Sequence, residues 1–505
     1  MNNFHFKVGK KTVAVTNYFF GSFNLIINSF NGLLFVPLYL KKLRDIDEYG
    51  VWLACLGIIS SLSVFEMNLS GVATQKYSKA ISENKISRFK TLIASNIIII
   101  FFLMLLCSFV AIVIVFYYPN TIDSLNTPFE IRFSLILCFL GFIGIQLSLS
   151  IGAFFQSLQI TFFQNIINSV SLLINTIIVI FCLYYYELGI ISFSIGYCAM
   201  GSFNFSFLSI YSLMLWQKNS FGKISFKELL IKEMLRDSAG LTISNLSLML
   251  KTNLQAPLIA AFVNPSSAAM LNITSKIISI SGTLVSTICS SVYAGMSQIQ
   301  NQQKREEVIN KIDLIIEKIS MILIGASIFL TKNFILLWMT PKLYGGIFLM
   351  TLIVFSQYFL IRKSFYSTLI MTKGKFNSLS FWVTFELIVN TFLLILFFNL
   401  LSNKVLAFPL STLLSTIFIN IVLYRIESGF YFFKLKRLIS NTFNFLLFLF
   451  VPLIISEYLL NVDNKLLFLL ITLIYSAISF ILSLMLDKNW SKTFFDLINK
   501  IIYRV

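Results

Sequence analysis

The sequence predicts an all-α integral membrane protein. It should have fourteen transmembrane helices, set out as two pseudo-symmetric six-helix lobes plus two C-terminal helices. Three observations predict this. Fourteen apolar stretches fill almost the whole chain, each near the roughly 20 residues that cross a ~30 Å hydrocarbon core as a helix. The composition is 57% apolar and only 12% charged, with a mean hydropathy of +0.85; a soluble chain could not hide that much apolar surface. Turn and charge clusters punctuate the stretches at Lys41–Asp45, Pro119–Asn120, Asn264–Pro265, Thr340–Lys342 and Thr372–Gly374.

In order, the predicted spans are 17–39, 50–72, 91–118, 131–155, 165–186 and 190–214, which make an N-terminal lobe over 1–214. An amphipathic linker follows at 215–236, where Phe226, Leu229, Leu230, Glu233 and Met234 lie among Lys223, Lys227 and Lys232. The second lobe, 237–424, holds spans 237–261, 267–296, 314–331, 346–371, 379–400 and 404–424. An even number of helices per lobe predicts parallel repeats. Pro37-Leu38 and Pro257-Leu258, 220 residues apart, close the first span of each. Two further spans, 440–461 and 466–486, occupy the region 440–486. The tail 487–505 is again amphipathic, with Trp490, Phe494, Ile498 and Ile501 on one face. The head 1–16 is short and polar and lacks the pattern of a cleavable signal.

Lysine and arginine set the expected orientation. With both termini inside, the inner segments carry 26 of the 39 basic residues, and the outer loops with Arg132 carry 8. The net charge of +18 then reads as anchoring against anionic membrane lipid rather than nucleic-acid binding. All six cysteines fall inside spans and read as small packing residues.

Enzyme chemistry has little to work with. The single histidine, His5, excludes two-histidine metal sites and histidine triads. No phosphate-loop motif occurs, and the outer loops are short. The reading is therefore a non-enzyme with no metal and no cofactor.

Polar stripes run along several spans. Asn17, Gly21, Asn24, Asn28 and Asn31 share one face of span one. Span five carries Asn165, Asn168/Ser169 and Asn175/Thr176, span seven Ser244, Ser247, Lys251 and Gln255, and span eight Asn272, Ser275/Lys276, Ser279 and Thr283. Hydrogen bonding between packed helices accounts for a single stripe. Several full-length stripes point to a hydrated cleft, with Asn24, Asn28, Asn31, Ser247, Gln255, Asn272 and Ser279 as polar contacts. A lysine at a helix centre costs roughly 2.5–3.5 kcal/mol on insertion scales, so a retained one faces a cavity or a partner. Lys251 and Lys276 are expected to form a positive pocket for an anion, snorkelling being the bland alternative. Arg362 and Lys363 are neighbours and point ~100° apart, so one faces inward and the other snorkels; Arg362 is the better phosphate ligand. Glu386 is a candidate partner for Arg362, or with Glu66 a coupling-ion site.

The runs Phe35-Val36-Pro37-Leu38-Tyr39-Leu40, Asp47-Glu48-Tyr49-Gly50-Val51-Trp52 and Ser63 to Thr74 resemble the opening of bacterial polysaccharide repeat-unit flippases of the O-antigen type. These belong to the multidrug/oligosaccharidyl-lipid/polysaccharide exporter superfamily. Glu66-Met67-Asn68 departs from the aspartate and glycine common there. The resemblance implies a two-lobed transporter in the bacterial inner membrane. It would turn an undecaprenyl-pyrophosphate-linked oligosaccharide from the inner to the outer leaflet by alternating access, driven by membrane potential or an ion gradient. Its implied partners are membrane lipids, a polysaccharide polymerase and a chain-length regulator, with lipopolysaccharide as the implied product. The competing readings are a multidrug/cation antiporter of the same superfamily, a membrane polymerase or glycosyltransferase, and a scaffold within an assembly complex.

Overall fold

A computed structural model describes most of residues 16–66, residues 69–122 and 126–219, most of 221–238, and residues 251–291, 302–373, 376–428 and 474–479. Among the described residues the fold is helical, with no strand. Ten helices are long and apolar enough to span a bilayer. They coincide with predicted spans two to six and eight to twelve. The remaining four predictions, spans one, seven, thirteen and fourteen, lie wholly or partly outside the described residues, as do the tail 487–505 and Ser247.

The chain divides into two compact units, Met1–Ala269 and Met270–Val505. The first contains α1 (Phe19–Asn28), α2 (Val36–Leu40), α3 (Ile46–Ser61), α4 (Leu69–Ser82), α5 (Ile86–Tyr117), α6 (Pro128–Ser157), α7 (Thr161–Tyr185), α8 (Ile190–Lys218), the short helix α9 (231–238) and α10 (Gln255–Phe262). Helix α11 (Pro265–Ser291) begins there and continues into the second unit. That unit adds α12 (Gln302–Trp338), α13 (Gly346–Thr372), α14 (Phe376–Leu400) and α15 (Ala407–Ser428).

Local chemistry sets the helix starts. Asp45 caps α3 by accepting from the Ile46 amide. Thr127 and Glu130 form a reciprocal capping box at α6, with Pro128 at the first helical position, where its missing N–H costs nothing. Within the first unit, α6 and α8 run parallel and very close. A Cβ on Gly141 would lie 2.6 Å from the Tyr197 carbonyl oxygen, and one on Gly144 would lie 2.5 Å from the Gly201 carbonyl. Only glycine permits that approach. Helix α3 seats α10 in the same way. Pro257 has no N–H, so the Asn253 carbonyl loses its intrahelical partner. That oxygen comes down on Gly57, where a Cβ would meet it at 2.5 Å. The seat is completed by the Asn253 amide donating to the Ser60 carbonyl (3.2 Å), the Tyr118 hydroxyl donating to the Pro257 carbonyl (3.2 Å), and a Ser266–Asp47 hydrogen bond.

The second unit packs α13 against α15 through Ser356 to the Pro409 carbonyl (3.1 Å) and Asn420 to the Phe359 carbonyl (2.8 Å). Asn390 of α14 donates to Ser415 of α15 at 3.1 Å. Exposed apolar faces, such as Phe101, Phe102, Phe109 and Phe116 on α5 and Phe381, Ile388 and Phe392 on α14, are the surfaces a bilayer would cover.

Polar seams and a charged core as the candidate site

The asparagine face of span one meets α7. The Phe162 amide donates to Asn17 Oδ1 (2.9 Å), Ser169 donates to Asn24 Oδ1 (3.2 Å) and Thr176 donates to Asn31 Oδ1 (2.8 Å). Each pair is separated by 145 residues. A constant offset with seven-residue steps means two parallel helices in register, meeting every second turn. Gly21 sits against Asn165 in the same seam. Thus the two stripes read separately from spans one and five are the two sides of one hydrogen-bonded contact. Asn24 and Asn31 are half-buried there, whereas Asn28 is exposed.

Lys251 lies half-buried in the first unit, just before the break in helix at Leu254 and one turn before the half-buried Gln255. In the second unit Asn272, Lys276 and Ser279 are half-buried along α11, and the Ser279 hydroxyl donates back to the Ser275 carbonyl. Glu66 closes a 3-10 turn and accepts from the Ser70 amide at 3.4 Å, so its carboxylate caps the start of α4. Of the outer-loop cations, Lys42 lies 3.9 Å from Glu187, and Arg44 lies 3.6 Å from the buried Glu48 and 3.8 Å from Glu130.

The second unit holds a charged core that the sequence located only in part. Arg362 is 3% exposed; one guanidinium nitrogen donates to Asp313 of α12 (2.6 Å) and another to the Tyr366 hydroxyl (2.7 Å). Lys363 does not snorkel. It is buried and ion-paired with Glu386 of α14, which is 1% exposed. Glu386 therefore serves Lys363, and Arg362 takes a partner that the sequence reading left in a loop. The two neighbouring cations point to two different helices, as a ~100° step requires. Glu317, one turn beyond Asp313, is also buried, and so is Lys332 further along α12. Both Asp313 and Lys332 flank the predicted span 314–331. The signal that could have recovered Asp313 is its i, i+4 spacing from Glu317, which places two carboxylates on one helical face. Among the described residues no cluster of His, Cys, Asp and Glu could hold a metal ion.

A chain with these spans, carrying buried ion pairs between its helices, has the architecture of a multi-span membrane protein. Its fold matches a structure titled lipid II flippase MurJ, inward closed conformation, with a TM-score of 0.68 at 18% identity, covering 93% of this chain and 98% of that one. It also matches an inward-facing multidrug resistance MATE family transporter (TM-score 0.56, 11% identity, 76% and 94% covered) and a Vibrio cholerae MATE transporter (0.57, 12%, 83% and 97%). No curated protein sequence matches significantly. The family model described as polysaccharide biosynthesis protein matches residues 32–300, and the chain belongs to that family.

Proposed function

We propose that this protein moves an undecaprenyl-pyrophosphate-linked polysaccharide repeat unit from the cytoplasmic to the outer leaflet of the bacterial plasma membrane by alternating access. The membership in a polysaccharide biosynthesis family is the observation that carries this reading, and the fold shared with a lipid II flippase supports it. The pyrophosphate calls for positive charge at membrane depth. Lys251 and Lys276 supply it, with Arg362 as a third cation that must first exchange Asp313 for phosphate. Asn28, Gln255, Asn272 and Ser279 offer hydrogen bonds to sugar hydroxyls, with Asn24, Asn31 and Ser247 as further contacts. Glu386 and Glu66 remain the proposed coupling carboxylates, both termini face the cytoplasm, and residues 215–236 join two lobes. O-antigen is the proposed polymer, handed on to a polymerase and a chain-length regulator.

A cation antiporter needs unneutralised carboxylates in its path. Here Glu386 and Asp313 each meet a cation, so neither is an unneutralised carboxylate of that kind. The test is depletion of the protein, followed by measurement of lipid-linked repeat units on each leaflet. Accumulation on the inner leaflet supports the proposal, and undiminished display on the outer leaflet refutes it. Replacing Lys251 and Lys276 with Ala, singly and together, should reduce display without loss of membrane insertion; unchanged display rules out the phosphate role.

A further inference from the structure

The described residues between 221 and 238 leave the end of α8 and lie against the neighbouring ends of α4, α5 and α6. Phe221 is buried in an aromatic cluster with Phe89, Phe154 and Trp216. The Leu230 amide donates to the Ser95 hydroxyl at 2.8 Å. Helix α9 then makes a chain of ion pairs. Glu233 is 2.6 Å from Lys76 and 2.9 Å from Arg88, and Lys76 is also 2.6 Å from Asp237. Of the α9 side chains, only Met234 and Ser238 are buried.

This division of labour matters. An isolated helix of two turns is not stable in water, because nucleation is unfavourable and few hydrogen bonds follow it. Helix α9 exists because it is docked, so undocking and unfolding are one event. Its seat rests on partly exposed charges more than on buried apolar area, and such segments open at the low end of the local stability range. The chain leaving α9 reaches Lys251 only thirteen residues after Ser238.

We infer that Lys76, Arg88, Glu233 and Asp237 form an ionic lock that folds the linker helix onto the first unit and must release during each transport cycle. The inference rests on the alternating-access reading for the cycle but not for the lock. The Lys76 ammonium is the pivot, since it serves both carboxylates at once. Lys76 and Arg88 hold Glu233 below the usual carboxylate range, and Lys76 and Arg236 do the same for Asp237.

Hydrogen exchange on the purified full-length protein tests the lock without any cargo. Raising salt from about 0.1 M to about 1 M cuts the screening length from about 10 Å to about 3 Å. Exchange of the amides of 229–238 should then quicken about tenfold, while α6 and α8 stay protected. The double variant Glu233→Gln/Asp237→Asn should exchange fast at both salt levels. Salt-independent protection in the unaltered protein overturns the lock. The release step is tested with Lys76→Cys/Glu233→Cys bridged by a short reductant-cleavable bismaleimide, with the unaltered chain given the same reagent. Bridging should abolish outer-leaflet display, and reductant should restore it. Full display with the bridge in place overturns release, whatever the exchange result. Should the unbridged pair be silent, the exchange arm still decides the lock.

Discussion

Both units use neutral polar contacts between helices, and the second adds ion pairs between largely buried side chains. In the first, α6 and α8 approach through Gly141, Gly144 and Gly201, and span one meets α7 through Asn17, Asn24 and Asn31. In the second, α12, α13 and α14 are joined by two ion pairs, Arg362–Asp313 and Lys363–Glu386. Neutral seams give close contact that neither salt nor moderate pH disturbs. Ion pairs at membrane depth are costly to break, because each lost partner strands a charge. The second unit is therefore the one whose spanning helices depend on paired charges.

Breaking a buried pair should have the largest effect. Glu386→Ala leaves Lys363 uncompensated and should cost about 3–5 kcal/mol of stability, read by thermal unfolding in detergent. Lys363→Met/Glu386→Met should recover most of that loss. If the single and double variants are equally unstable, the pair is not what distinguishes this unit. Overpacking the first unit comes next. Gly144→Ala forces a methyl against Gly201 and should cost about 1–3 kcal/mol, with no dependence on salt. Removing one hydrogen bond of the α7 seam with Ser169→Ala should cost only about 0.6 kcal/mol, the mean for interhelical bonds in membranes. A loss as large as that of Glu386→Ala would erase the contrast between the units.

The smallest effect concerns the docked linker. Glu233 and Asp237 have their carboxyl pKa values lowered from 4.5 and 3.8 by Lys76 and its neighbours. A depressed carboxylate contributes stability above its unfolded value and loses it as pH falls through the lower folded value. Protection of residues 229–238 should therefore hold at neutral pH and fail only as pH drops below about 4. Loss of protection between pH 6 and 8 would contradict the assignment.

Ten spans were legible because apolar length survives any rearrangement of partners. What the sequence concealed was pairing. Asp313 and Lys332 look like loop residues beside an apolar run, so span nine was cut to 314–331, whereas α12 extends over Gln302–Trp338. Asp313 pairs with Arg362, 49 residues away on another helix, and no local period reports that. The polar face of span one points, by sequence, to a hydrated cleft, and its contact with α7 is legible only from the 145-residue register that the fold reveals. The family resemblance rested on the loop and helix-end residues from Phe35 to Thr74, and the family match begins at residue 32.

A cation and an anion moved together carry no net charge through an electric field. With Arg362 and Lys363 each tied to a carboxylate, displacing α12, α13 and α14 as one body would let a transmembrane voltage do no net work on those groups. Any voltage sensitivity that persists after both pairs are made apolar would then come from charges other than these four.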